Sequence, residues 1–166
     1  MSLTESLQWR YATKKFDPTR KITPAILDNL KEVVSLTATS YGLETYKVLI
    51  IEDQTTKSIL KPASWNQAQV EDCSHLFVFC NYTNVSSADI DNFVSRKSAI
   101  QGIEKEKLAG YGDFMKNTIS NLSIEKMHEW TIRQTYIALG SLLIGCAEYR
   151  VDSCPMEGFD LSLIHI

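Results

Sequence analysis

The sequence predicts an α/β or α+β layered domain organised around one long helix. Two short runs rich in β-branched and aromatic residues, Tyr46–Glu52 and His75–Tyr82, read as strands, and no hairpin signal joins them. The stretch from Ser123 to Tyr149 reads as a helix, with no proline to interrupt it before Pro155. Two strands are too few for a sheet that stands alone, so more strand is expected from a partner or from beyond this sequence.

The elements follow in order. Residues 3–10 form a short helix, with Leu3, Leu7 and Arg10 on neighbouring turns. A basic loop, WRYATKKFDPTRKIT, ends regular structure at Pro18. Thr23 caps the next helix and Pro24 takes its first position, where a missing N–H costs nothing. Ile26, Leu27, Leu30, Val33 and Val34 supply its apolar stripe. Residues 37–45 read as a polar loop with Gly42 as its flexible point. The first strand follows, then a brief helix at Lys57–Leu60 stopped by Pro62, then a helical turn within Asn66–Asp72. The second strand carries apolar residues at nearly every position, the pattern of a strand buried on both faces. Helical segments are expected around Asp89–Glu106, with a break at Gly110 and Gly112.

The long helix begins at Ser123, whose hydroxyl can accept a first-turn N–H, and Glu125 suits the positive end of the helix dipole. Met127, Trp130 and Gln134 share one side of its first half. Its second half, Tyr136–Ala147, has no charged residue, and a helix apolar all round needs cover on every side. The run is shorter than the roughly 20 residues a bilayer span needs. The helix is therefore expected in the core, shared with a second subunit.

Composition narrows the function classes. With 17 Lys and Arg against 20 Asp and Glu, the chain does not advertise a nucleic-acid binder, so any anionic ligand must be held by a local cluster. The four cysteines, Cys73, Cys80, Cys146 and Cys154, form no C-x-x-C pair, and no apolar leader opens the chain. Reduced thiols, a cytoplasmic location and no membrane partner are the expectation. No repeat or linker marks a boundary, so residues 1–160 are expected to form one domain.

Arg10, Lys14, Lys15, Arg20 and Lys21 form the densest basic cluster, which reads either as an anion site or as a solvated face. His75, His128 and His165 lack metal-ligand spacing, and neither G-x-S-x-G nor G-x-G-x-x-G follows a strand. Asp72-Cys73-Ser74-His75 sets nucleophile types beside a histidine, but neighbours on an extended strand should face opposite ways. The turn Met156–Phe159, started by Pro155, could present backbone N–H groups to a ligand.

Six segments in this order carry a resemblance: RYATKKFD at Arg10–Asp17, TSYGLETYK at Thr39–Lys47, SWNQAQ at Ser64–Gln69, DCSHLFVF at Asp72–Phe79, the long helix with Gln134, and PMEGFD at Pro155–Asp160. Together they resemble the FMN-dependent nitroreductase family, in its oxygen-insensitive NAD(P)H nitroreductase and dihydropteridine reductase branch. The resemblance implies an α+β fold in three α/β/α layers, with the long helix at the interface of a homodimer. It implies FMN held by Arg10 at the phosphate and Lys14 at the pyrimidine edge, with Asn66 and Gln69 beside the ring. Ala12 stands where the family usually has a hydroxyl residue. Pro155, Glu157 and Gly158 would line the flavin near N5, the last two through backbone N–H groups. Ala38, Thr39, Ser40, Gln134 and Ile137 would come from the second subunit, and Phe114 would cover the substrate pocket. The implied activity is ping-pong transfer of two electrons from NAD(P)H to a nitroaromatic or quinone, with the chemistry borne by the flavin. The alternative is a flavin-binding or structural dimer without turnover. Glu44-Thr45 and Gln69 depart from the family pattern, Gln69 replacing a frequent lysine. The family continues past Glu157-Gly158 with a helix, a strand and phosphate-holding basic residues. The chain is therefore expected to be C-terminally incomplete, with residues 161–166 a non-native tail.

Overall fold

The structure, a computed structural model, describes residues 2–163. Among them run α1 (Leu3–Trp9), α2 (Pro24–Ser35), β1 (Tyr46–Ile51), α3 (Gln54–Ala63), α4 (Ala68–Asp72), β2 (Leu76–Asn81), α5 (Ser87–Gln101), α6 (Lys105–Ser120) and α7 (Ile124–Glu148). Short 3-10 turns lie at Ser40–Gly42 and Leu161–Leu163. Of the expected non-native tail, residues 164–166 lie outside the described part, as does His165. No helix among the described residues is long and apolar enough to cross a membrane.

Local chemistry explains most boundaries. Ser2 and Glu5 close α1 with a capping box, and Thr23 accepts the Ile26 N–H at the start of α2. Ser123 accepts the Lys126 N–H at the start of α7, as its sequence predicts. The helix expected to stop before Pro62 instead runs from Gln54 to Ala63 and contains it. Asp53 caps it four residues upstream of the expected start, accepting the Thr56 N–H at 2.7 Å, and Pro62 falls one residue from the end. The break expected at Gly110 and Gly112 is not there either. α6 runs through both, because Gly112 is a contact point: a Cβ at that position would lie 3.3 Å from Val94 of α5. The chain breaks instead at Gly102, whose left-handed backbone (φ 63°) ends α5.

β1 and β2 pair with each other. The Tyr82 N–H, just past the end of β2, donates to the Thr45 carbonyl, just before β1, so the strands run antiparallel. That pairing suits an α+β fold. β2 is half-buried along its whole length rather than fully covered, and among the described residues β1 is its one strand neighbour.

The described chain divides into two compact units. The first comprises residues up to 37, 48–79 and from 138 onward. Its buried side chains include Leu30, Val34, Leu60, Val70, Ala138, Leu142 and Cys146. Within it Gly145 of α7 meets α2 closely, its notional Cβ 3.1 Å from Val33. The second comprises residues 38–47 and 80–137, with a core of Val85, Ile90, Val94, Met115, Ile119 and Met127. The apolar half of α7 is not covered on every side within a single chain: Tyr136, Ile137 and Ile144 remain 51%, 47% and 42% exposed.

Candidate functional site

In the first unit, three of the motif segments are drawn together by specific contacts. The Arg10–Lys14 loop lies against the segment that follows α7. Ala12 and Ser153 form a parallel bridge, the Thr13 N–H donates to the Ser153 carbonyl at 3.1 Å, and the Thr13 hydroxyl donates to Asp152 at 3.3 Å. Thr13 is buried, so these bonds fix the loop from which Arg10 and Lys14 project.

The segment after Ser153 then folds onto the turn that ends α3. The Asp160 N–H donates to the Ala63 carbonyl at 2.7 Å, and Gln67 Nε2 donates to the Gly158 carbonyl at 3.1 Å. Trp65 lies on Gly158 so closely that a Cβ there would sit 2.7 Å from the indole. Only glycine fits. Trp65 and Asn66 both hold left-handed backbones, φ 55° and 57°, a cost of roughly 1–2 kcal/mol for a non-glycine residue, least for asparagine. That strain makes a tight turn that leaves Asn66 exposed beside the Gly158 segment, with Gln69 half-buried one turn further on. The Glu157 carbonyl is taken by the Phe159 N–H at 3.1 Å, as the Gly158 carbonyl is by Gln67. Pro155 is exposed ahead of them.

Arg10 is half-buried, and its Nε is fully buried without an acceptor among the described residues. A buried guanidinium N–H without a partner is costly, which makes this atom a candidate donor to an anionic ligand. Lys14 stands exposed on the same loop.

The second unit holds the other predicted residues. Gln134, 5% exposed, accepts the Ser40 N–H at 2.9 Å and donates to the Trp130 carbonyl at 3.0 Å. It thereby fixes the loop carrying Ala38, Thr39 and Ser40, while the Thr39 hydroxyl accepts the Glu44 N–H at 3.1 Å. The Glu44 carboxylate, a departure from the family pattern, is paired with Arg96 at 3.1 Å. Phe114, 56% exposed, meets Tyr41 edge-on at 6.2 Å, and Tyr41 meets Trp130 at 6.3 Å. Ile137 is exposed on α7.

One sequence expectation fails here. Ser74 and His75 do not face opposite ways: Ser74 Oγ lies 2.9 Å from His75 Nδ1, because Ser74 precedes the regular part of β2. The pair still makes no hydrolytic triad. Ser74 Oγ is already engaged by the Ile22 N–H at 3.0 Å, and Glu52 is 3.6 Å from His75 Nε2, beyond a hydrogen bond. Burial, with Lys21 and Lys57 nearby, holds His75 below its ordinary range against the pull of Glu52. Lys57 is fully buried and donates to the Cys73 carbonyl at 2.6 Å; burial lowers its pKa and raises that of the Cys73 thiol. Burial also pushes the Cys146 thiol up to about 11. Among the described residues no His, Cys, Asp and Glu cluster could hold a metal ion.

With this geometry in place, comparison with known proteins decides the family. The sequence model of the Nitroreductase family matches residues 7–165. The chain belongs to the nitroreductase family. A Staphylococcus saprophyticus relative named as an NAD(P)H nitroreductase is 31% identical over 171 residues, covering 98% of this chain and 76% of its own. A Staphylococcus aureus relative of the same name is 32% identical over 173 residues, covering 98% and 75%. Two solved structures share the nitroreductase fold at low identity. One is a nitroreductase-named protein of Bacillus subtilis (TM-score 0.87, 20% identical, 96% of this chain and 77% of that one). The other, from Exiguobacterium sibiricum, was solved in complex with FMN (TM-score 0.84, 17% identical, 99% and 78%).

Sequence reasoning missed the residues that hold this nitroreductase's loops. Trp65 and Gln67 pin Gly158, and Asp152 pins Thr13. Trp65 and Gln67 lie within the SWNQAQ segment and Asp152 just ahead of PMEGFD, but nothing local marks their contacts, since each acts across a long sequence separation.

Proposed function

We propose that this chain is an FMN-dependent NAD(P)H oxidoreductase that reduces nitroaromatics or quinones by two electrons in a ping-pong cycle, working as a homodimer. The observation that carries the reading is the convergence, in one unit, of the Arg10 loop, the Asn66 turn and the Gly158 segment, with a buried Arg10 N–H awaiting an acceptor. Family membership and the FMN held by the Exiguobacterium neighbour support it.

When bound, FMN supplies the hydride acceptor and donor. Arg10 would pair with its phosphate, and Lys14 would set a positive charge at the pyrimidine edge, where reduction adds negative charge. Asn66 and Gln69 hydrogen-bond the polar side of the ring. Ala12, lacking a hydroxyl, contributes backbone only. Pro155 would position Glu157 and Gly158, whose backbone N–H groups would hold the flavin on its N5 side; their carbonyls are taken by protein donors. The partner protomer supplies its own Ala38, Thr39, Ser40, Gln134 and Ile137, and the exposed apolar side chains of α7 give such an interface its material. Phe114 closes over flat aromatic acceptors. No side-chain acid or base is needed.

The test is steady-state oxidation of NADH and of NADPH by the FMN-loaded protein, with and without a quinone. Quinone-dependent oxidation with parallel-line kinetics is expected. Flavin binding without oxidation of either nucleotide would favour the binding or structural dimer instead.

A further inference from the structure

We propose that Arg150 is a second arginine of the anion site, joining Arg10 on the flavin phosphate; this rests on the FMN reading above. Arg150 follows α7 in a left-handed conformation (φ 54°), which an L side chain adopts at a cost and which glycine adopts freely. An arginine there must gain something in return from its side chain. Its backbone N–H donates to the Ala147 carbonyl at 3.3 Å, but among the described residues its side chain forms no ion pair or hydrogen bond, and its Nη1 is buried with no acceptor. What holds it is the face of Trp9, with the guanidinium carbon 4.8 Å from the ring centroid.

The register explains why this matters. Ala12 is bridged in parallel to Ser153. Three residues back on each segment, Trp9 and Arg150 are in contact through the stacked ring. Arg10 is the residue after Trp9 and carries the other buried, unpartnered guanidinium nitrogen of the unit. Two arginines on adjoining segments, each with a buried guanidinium nitrogen that has no acceptor among the described residues, form an arrangement that a phosphate monoester satisfies. A phosphate has oxygens for two forks at once and a charge to match both. The nearby carboxylates are engaged elsewhere: Asp152 by the Thr13 hydroxyl at 3.3 Å and Glu148 by the Ser6 hydroxyl at 3.0 Å.

The experiment compares FMN with riboflavin, which lacks the phosphate, by quenching of flavin fluorescence. Arg150→Gly is the informative variant because the backbone conformation suits glycine, so the fold should keep or gain thermal stability. Arg150→Lys keeps the charge and loses the fork. The wild type should bind FMN more tightly than riboflavin. Arg150→Gly should weaken FMN about ten- to a hundredfold and leave riboflavin unchanged, with Arg150→Lys between. If Arg150→Gly binds FMN like the wild type, or loses both flavins equally, Arg150 has no phosphate role and the proposal is wrong while the FMN reading stands. If the wild type binds neither flavin, the FMN reading itself fails and takes the proposal with it.

Discussion

Replacing Gly158 by alanine tests the packing that shapes the candidate site. The added Cβ would lie 2.7 and 2.8 Å from Cζ3 and Cε3 of Trp65 and 3.2 Å from Gln67 Nε2. Carbon atoms settle at about 3.5–4.0 Å, so the indole or the segment must move by roughly 1 Å. Overpacking of this kind costs about 1–3 kcal/mol. Trp65 is 70% exposed and can swing toward solvent, which puts the cost near the lower end, about 1 kcal/mol. For a chain of this size that lowers the melting temperature by about 2–4 °C. Thermal unfolding followed by circular dichroism should show that loss in Gly158→Ala, and much less of it when the same change is made in a Trp65→Ala background. Non-additivity is expected because the two residues touch. Equal losses in both backgrounds would refute the reasoning, placing the strain in the backbone or at Gln67. Because Gln67 holds the Gly158 carbonyl, the single variant should also bind FMN more weakly, and the double variant should recover part of that loss.

Other outcomes follow from single contacts. Gln134→Ala leaves the Ser40 N–H without its acceptor and should cost about 1–3 kcal/mol, with faster hydrogen exchange at the Ser40 amide; an unchanged exchange rate would contradict the role given to Gln134. His75 is held below its ordinary 6.5 by burial, so the unfolded chain takes up the proton first. Stability should therefore fall as pH drops below about 6.5, by at most about 1.4 kcal/mol per pH unit from this group, and the urea midpoint of His75→Gln should vary less over that window. Lys57→Ala removes a fully buried side chain and the donor to the Cys73 carbonyl, and should cost about 2–4 kcal/mol in urea unfolding; a loss below about 1 kcal/mol would show that the site collapses around the change.

Much of the fold could be read from local chemistry. Thr23-Pro24 and Ser123 mark helix starts, and β1 stands out by its β-branched residues, because caps and strand composition act within a few residues. Gly110 and Gly112 misled for a physical reason: a glycine within a helical pattern can break the helix or admit a neighbour, and only the position of Val94 settles which. Pro62 was equally ambiguous, since a proline one residue from a helix end is tolerated once Asp53 has set the start upstream. Family resemblance singles out the candidate site segments, whereas the contacts that join them in the structure were not legible. Ala12 with Ser153, Gln67 with Gly158 and Trp9 with Arg150 each join residues far apart in the chain, and no local pattern encodes such pairs. Ser74 with His75 shows the converse, because strand alternation was assumed for two residues that precede the strand.

The central claim is that this chain holds a reducible flavin. The most direct measurement is the visible absorption spectrum of the purified protein after incubation with FMN and desalting, followed by anaerobic addition of NADPH or NADH. The account predicts a retained flavin spectrum that bleaches on nucleotide addition and returns when a quinone is admitted. A colourless protein after desalting, or a bound flavin that neither nucleotide bleaches, would contradict it.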